Sequence, residues 1–212
     1  MLRRIQPGFA IWLTGLPSSG KTTLAHALRR LLAERGIGVQ ILDSDELRRR
    51  LTPVPAYSGG ERDWFYDVVT FLAGLLTDNG VNILIAATAP RRAYREAARD
   101  RLARFAEVYV HCSPEVCQAR DPKGLWARAD RGEIATLPGA GVPYEPPEYP
   151  EVRVDTAHLS IEEAARRILD ELDEWAFFDG QRSLGASMRI AGFDTELSRR
   201  APSVHHLDHE AT

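Results

Sequence analysis

The chain has 212 residues, enough for one domain with a buried core and a small appendage. Its 44% hydrophobic and 27% charged residues are ordinary for a soluble globular protein, and a formal net charge of −3 gives no general pull toward nucleic acid or an anionic membrane. No apolar run approaches the ~20 residues of a membrane helix, and Pro7 and Gly8 interrupt any secretory signal after Met1, so a cytoplasmic location is expected.

Phe9 to Thr14 is nearly all apolar and reads as a first strand, buried on both faces. Residues 21–35 follow as a helix with Leu24, Leu28, Leu31 and Leu32 at helical spacing, ending at Gly36. Val39 to Leu42 is a second strand, 61–79 a helix stopped by Gly80, and Val81 to Ala87 a third strand. A helix over Arg91–Arg104 follows Pro90, then a fourth strand at Val108–Val110, and Ser113-Pro114-Glu115 opens another helix with a cap and a proline at its first turn. From Asp121 to Pro150 periodicity disappears among prolines and glycines; so long a stretch inside a compact domain predicts a functional loop such as a lid. Glu151–Asp155 reads as a fifth strand, and Ser160 to Glu163 is a capping box for a helix reaching about Trp175. Residues 1–175 are therefore expected to form the domain, with 176–212 a partly disordered extension in which Met188, Ile190 and Phe193 could pack. His205, His206 and His209 read as part of a polar tail, and Cys112 and Cys117, five apart, as buried free thiols. The alternation predicts an α/β fold with a parallel sheet flanked by helices on both faces.

Gly15-Leu16-Pro17-Ser18-Ser19-Gly20-Lys21-Thr22 fits G-x-x-x-x-G-K-[ST] at every fixed position, between a predicted buried strand and a predicted helix. Such a loop curls backbone N–H groups around phosphate oxygens at a helix N-terminus. Lys21 would reach the β- and γ-phosphates of ATP, and Thr22, followed by Thr23, would place its hydroxyl for Mg²⁺. No N-K-x-D is present to read guanine, and the third strand ends without an acidic residue. The second strand instead runs into Asp43-Ser44-Asp45. Residues i and i+2 of a strand share a side, so Asp43 can help to position Mg²⁺, directly or through water, and Asp45 can accept the proton of an attacking hydroxyl. Arg48 adds a cation to the same wall, and Arg91, Arg92 and Arg95 fall at the carboxyl edge of the sheet. Trp64-Phe65-Tyr66 reads equally as core or as site.

With these motifs the chain resembles the adenylylsulfate kinase family of P-loop kinases. Asp43-Ser44-Asp45-Glu46-Leu47-Arg48 matches the family's D-G-D-x-x-R except at the glycine. Arg120-Asp121-Pro122-Lys123-Gly124-Leu125 reproduces its R-D-P-K-G-L in full, and Gly132-Glu133-Ile134 and Pro143-Tyr144-Glu145-Pro146-Pro147 match later parts of its lid. The resemblance covers about residues 8–175. It implies a P-loop NTPase fold with five mostly parallel strands, and transfer of the ATP γ-phosphoryl group to the 3′-hydroxyl of adenylylsulfate, usually by a homodimer. It also implies ATP contacts from Arg120 and Lys123, and an acceptor site at Arg48, Tyr57, Arg62, Phe65, Arg92 and Leu137. Phe65 stands where the family has asparagine, Asp67 and Val68 where it has paired arginines, Ala89 where it has a serine, and Leu137 where it has a second lid aromatic. Two acceptor readings stay open: adenylylsulfate, with Arg91 compensating nearby, or another small or nucleotide-activated hydroxyl. A non-catalytic nucleotide-binding subunit is a third, against which Lys21, Thr22, Asp45 and the lid argue.

Overall fold

The structure, a computed structural model, describes residues 6–52 and 54–180. β1 (Ala10–Thr14) lies at the centre of a five-stranded sheet and is buried at every residue. It pairs with β3 (Ile83–Ala86) on one side and β4 (Phe105–His111) on the other, while β2 (Gln40–Asp43) and β5 (Val152–Asp155) form the edges. The order is β2-β3-β1-β4-β5 and every pairing is parallel. All five carboxyl ends therefore reach one edge of the sheet, where ligands of open α/β sheets bind.

The two faces of β1 feed two cores, as the two-residue period of a strand requires. Phe9, Ile11 and Leu13 meet α1 (Lys21–Glu34) and α7 (Ile161–Glu174), whose Leu24, Leu28, Leu32, Ile168, Leu169 and Leu172 are buried with them. Ala10 and Trp12 face α3 (Gly59–Asp78) and α4 (Arg92–Arg101), which bury Phe65, Val69, Ala73, Tyr94 and Ala98. Full burial of each such leucine or phenylalanine contributes about 1.5–3 kcal/mol relative to exposure. The capping box expected at Ser160 and Glu163 opens α7.

Two elements differ from the sequence-based reading. A helix, α2 (Ser44–Leu51), starts immediately after β2, because Asp43 caps it: its carboxylate accepts from Asp45 N (2.8 Å) and Glu46 N (3.3 Å). Asp45 consequently sits in the first turn of a helix, not beside Asp43 on one face of a strand. The Asp121–Pro150 stretch also holds a short helix, α6 (Leu125–Asp130), after α5 (Pro114–Arg120). The Asp121 carboxylate accepts from Leu125 N (2.8 Å) and Ala127 N (3.0 Å), satisfying helix-start donors that would otherwise be orphaned.

Packing continues past Trp175. The Phe178 ring is buried edge-on to Phe9 with centroids 5.3 Å apart, and Phe177 lies 5.4 Å from Phe9. Arg104 holds this turn through Phe177 O. Met188, Ile190, Phe193 and the three C-terminal histidines lie outside the described residues. Among the described residues, no helix is long and apolar enough to cross a membrane.

Candidate active site

The loop between β1 and α1 is shaped by positions that reject ordinary side chains. Gly15 has φ +152°, and a Cβ there would stand 2.3 Å from Val110 O. Gly20, at φ +95°, is the N-cap of α1, which has no side-chain cap and no acid in its first turn. The first N–H groups of α1 are thus left for an anion. Lys21 Nζ folds over the loop and donates to Gly15 O (3.0 Å) and Leu16 O (2.7 Å). Burial of the ammonium pushes its pKa down to about 8, against the opposing pull of Asp45. By area the whole side chain is only half-buried; the desolvation belongs to its tip.

Thr22 Oγ1 donates to Asp43 Oδ2 (2.7 Å), so the loop hydroxyl and the carboxylate at the end of β2 form one oxygen-rich corner. Asp45 lies one turn further into the cavity, where its Oδ2 pairs with Lys123 Nζ from the lid. The structure therefore brings together Lys21, Thr22, Asp43, Asp45 and Lys123, although Asp45 arrives by a helical turn rather than by strand alternation. Arg120 is pinned by its guanidinium to the Thr156 hydroxyl (3.2 Å) and Thr156 O, and Thr156 Oγ1 donates to Ser19 O (2.9 Å). Lid base, the loop after β5 and phosphate loop are thus tied in series.

Lys21, Thr22, Asp45, Arg120, Lys123 and Thr156 line a cavity of about 1060 Å³ that extends under the lid to α3, with Asp43 behind its wall. On its far wall Arg48 is buried between two rings, its guanidinium carbon 3.8 Å from the Phe65 centroid and 4.9 Å from that of Tyr57. Arg48 Nη1 donates to Glu61 Oε1 (2.8 Å), whereas Nη2 is buried with no partner. Arg62, also buried, donates to Tyr57 O (3.1 Å) and to Thr136 O of the lid (2.5 Å); burial lowers its pKa. Arg48, Tyr57, Arg62 and Leu137 all contribute to the cavity wall. Phe65 and Arg92 do not. Phe65 is fully buried in the α3 core behind Arg48, and the Arg92 guanidinium pairs with Glu148 while its backbone N–H donates to Glu145 Oε2 (2.7 Å). Arg91 likewise turns away to Asp63 (3.0 Å).

The lid is seated by its own side chains. Trp126 of α6 is buried beside Leu16, Cys117 and Leu137, and its Nε1 donates to Pro17 O of the phosphate loop (3.2 Å). Thr14 Oγ1 gives its single proton to Thr88 O (2.7 Å), so Tyr144 OH is the donor in its 3.1 Å contact with Thr14. Cys112 and Cys117 are free and buried, as expected, and burial pushes the Cys117 thiol up to about 12. Of the aromatic trio, Trp64 is exposed, Phe65 is core, and Tyr66 faces the cavity. Tyr66, Thr156 and Trp126 were not assigned roles from sequence. Only Tyr66 carried a signal, its place in that trio.

A family model described as adenylylsulphate kinase matches residues 7–155. The chain belongs to the adenylylsulfate kinase family. A probable adenylyl-sulfate kinase from Pyrococcus abyssi is 44% identical over 170 residues, covering 80% of this chain and 98% of that protein. An adenylyl-sulfate kinase from Rippkaea orientalis is 41% identical over 172 residues, covering 81% and 95%. Among solved structures, Mycobacterium tuberculosis APS kinase in complex with AMPPNP and APS superimposes with a TM-score of 0.74 at 36% identity, covering 79% of this chain and 98% of that one. For a member of the adenylylsulfate kinase family, the departures noted in the sequence fall on three kinds of ground. Phe65 and Ala89 are fully buried, Leu137 stays on the cavity wall, and Asp67 and Val68 lie off that wall, Asp67 exposed.

Proposed function

We propose that this chain transfers the γ-phosphoryl group of ATP to the 3′-hydroxyl of adenylylsulfate. The observation that carries this reading is the convergence of Lys21, Thr22, Asp45, Lys123, Arg48 and Arg62 on one cavity beneath a seated lid. In this reaction the acceptor oxygen attacks the γ-phosphorus, the bond to the β,γ-bridging oxygen breaks, ADP leaves, and the hydroxyl proton passes to Asp45. Lys21 and the N-terminus of α1 hold the β- and γ-phosphates. Lys123 and Arg120 reach the same region from the lid base, and Arg48, Tyr57, Arg62 and Leu137 form the acceptor wall. Phe65 acts only by backing Arg48.

The corner made by Thr22 Oγ1 and Asp43 Oδ2 supplies hard oxygen donors of the kind that Mg²⁺ takes, with Asp43 reaching it directly or through water. Among the described residues no group of three or more His, Cys, Asp or Glu could hold a metal, so nucleotide and water oxygens would complete the shell. Mg²⁺ would neutralise charge on the phosphates. A cytoplasmic homodimer is the working form in this proposal, and light scattering tests the dimer.

The deciding experiment incubates the protein with ATP, Mg²⁺ and adenylylsulfate and follows ADP release and the 3′-phosphorylated product. Stoichiometric formation of both is expected. No ADP above background at saturating adenylylsulfate, with turnover of another alcohol, would overturn the acceptor and leave the kinase.

A further inference from the structure

Phe65 brings no hydrogen-bonding group to the acceptor wall, yet the same helix delivers one a residue later. Tyr66 is almost fully buried at the floor of the cavity. Its ring is fixed on three sides: stacked on Tyr94 with centroids 4.6 Å apart, edge-on to Phe65 at 5.4 Å, and against Trp12 at 6.4 Å. The phenolic oxygen accepts from Ala89 N (2.9 Å), just beyond the carboxyl end of β3. That bond takes one of the oxygen's two lone pairs, and no hydrogen bond donated by the Tyr66 O–H is seen among the described residues. Burial raises the pKa of this phenol, opposed by the bond from Ala89 N, by the charges of Arg48 and Arg62 and by the Arg48 side chain within hydrogen-bonding reach of the oxygen, so the O–H proton is kept at neutral pH. Buried donors are nearly always met by an acceptor, and Tyr66 lies at the wall of the cavity.

We propose that Tyr66 is a specificity-determining residue of the acceptor site, its hydroxyl donating to a lone-pair-bearing atom of the acceptor substrate. An amide can donate or accept; this phenol oxygen is already turned to Ala89 N and to Arg48, so its proton is what it has left to give. The recognised group is therefore an unprotonated oxygen or ring nitrogen, not an N–H. The inference rests on the adenylylsulfate reading above and adds to it a contact supplied by Tyr66.

The test is Tyr66→Phe, which keeps the ring packing and removes one hydroxyl. The KM for adenylylsulfate should rise about tenfold, the loss expected of one hydrogen bond to a ligand, while the KM for ATP stays unchanged. Ala89 N–H also loses its acceptor, so a thermal melt and a calorimetric titration with AMPPNP accompany the kinetics. A fall in AMPPNP affinity equal to the change in acceptor KM would mark the residue as merely structural and overturn the proposal. So would an unchanged adenylylsulfate KM. Wild-type turnover with an unaffected Tyr66→Phe sinks this inference alone. Wild-type protein that neither turns over nor binds adenylylsulfate sinks it together with the proposed reaction.

Discussion

Lys21 donates to two carbonyl dipoles of its own loop, which are weaker partners than a phosphate. Its pKa of about 8 lies well below the ordinary lysine value of 10.5. An arriving phosphate restores the charge preference and raises the pKa again. Below pH 8 the ammonium is protonated before and after binding, so affinity is flat. Above pH 8 the free protein loses the proton and binding must recover it, so affinity falls as pH rises. Calorimetry in two buffers of different ionisation enthalpy should therefore show proton uptake, up to about one per nucleotide, at pH 9 and almost none at pH 6.5. Equal heats in both buffers at pH 9 would count against the buried ammonium. Replacing it, as Lys21→Ala, should leave a folded protein with phosphoryl transfer reduced by several orders of magnitude. Asp45 is tested separately: Asp45→Asn should lower kcat by ~10²–10⁴ with the KM for ATP little changed. If ATP binding collapses while kcat survives, Asp45 serves the metal or the nucleotide instead. The conformation of the loop from Gly15 to Thr22 was legible in the sequence, because its glycines answer a backbone requirement at fixed positions. Phe65 and Arg92 were not, because a motif position names a neighbourhood and only packing decides which way a side chain turns.

Among the elements, α4 is held to the sheet and to the end of the lid by one buried side chain. Arg95 Nε donates to Glu107 Oε1 of β4 (2.5 Å), and its other nitrogens reach Ala89 O and, at 2.7 Å, Glu145 O. Arg95 is 1% exposed. Arg95→Ala leaves Glu107 as a buried carboxylate without this partner, and loss of about 3–5 kcal/mol is expected. A urea titration that moves by less than 1 kcal/mol would show that Arg99, which also approaches Glu107 at 3.6 Å, carries the charge alone. The long helices could be read from periodicity, since each buries a face at a regular interval, and β1 and β3 as unbroken apolar runs, since both are buried at every residue. The short ones could not. α6 fully buries a single residue, Trp126, and is defined by the Asp121 carboxylate at its start. α2 was hidden because Asp43-Ser44-Asp45 reads as the end of a strand until the first aspartate is seen to cap a helix.

For the molecule as a whole, the C-terminal boundary is a stability question with a short answer. A chain ending at residue 180 keeps Phe177 and Phe178 against Phe9, and one ending at 175 exposes that surface. Burial of Phe178 alone is worth about 3–5 kcal/mol by comparison with core Phe→Ala changes. The shorter chain should melt at least several degrees below the longer one by circular dichroism. Equal midpoints would mean that the aromatic turn adds nothing to the core. The seat of Trp126 gives the molecule something further. Of its four tryptophans, Trp12 is locked in the sheet core, while Trp64 and Trp175 are already largely in water. Trp126 alone couples a buried indole to the lid, through its bond to Pro17 O. Lid release would carry that indole from an apolar seat into water, shifting its emission to the red while the other three stay as they are. If Trp126 leaves this seat during turnover, stopped-flow fluorescence of the unlabelled protein should show that shift, and unchanged emission would mean that α6 stays in place.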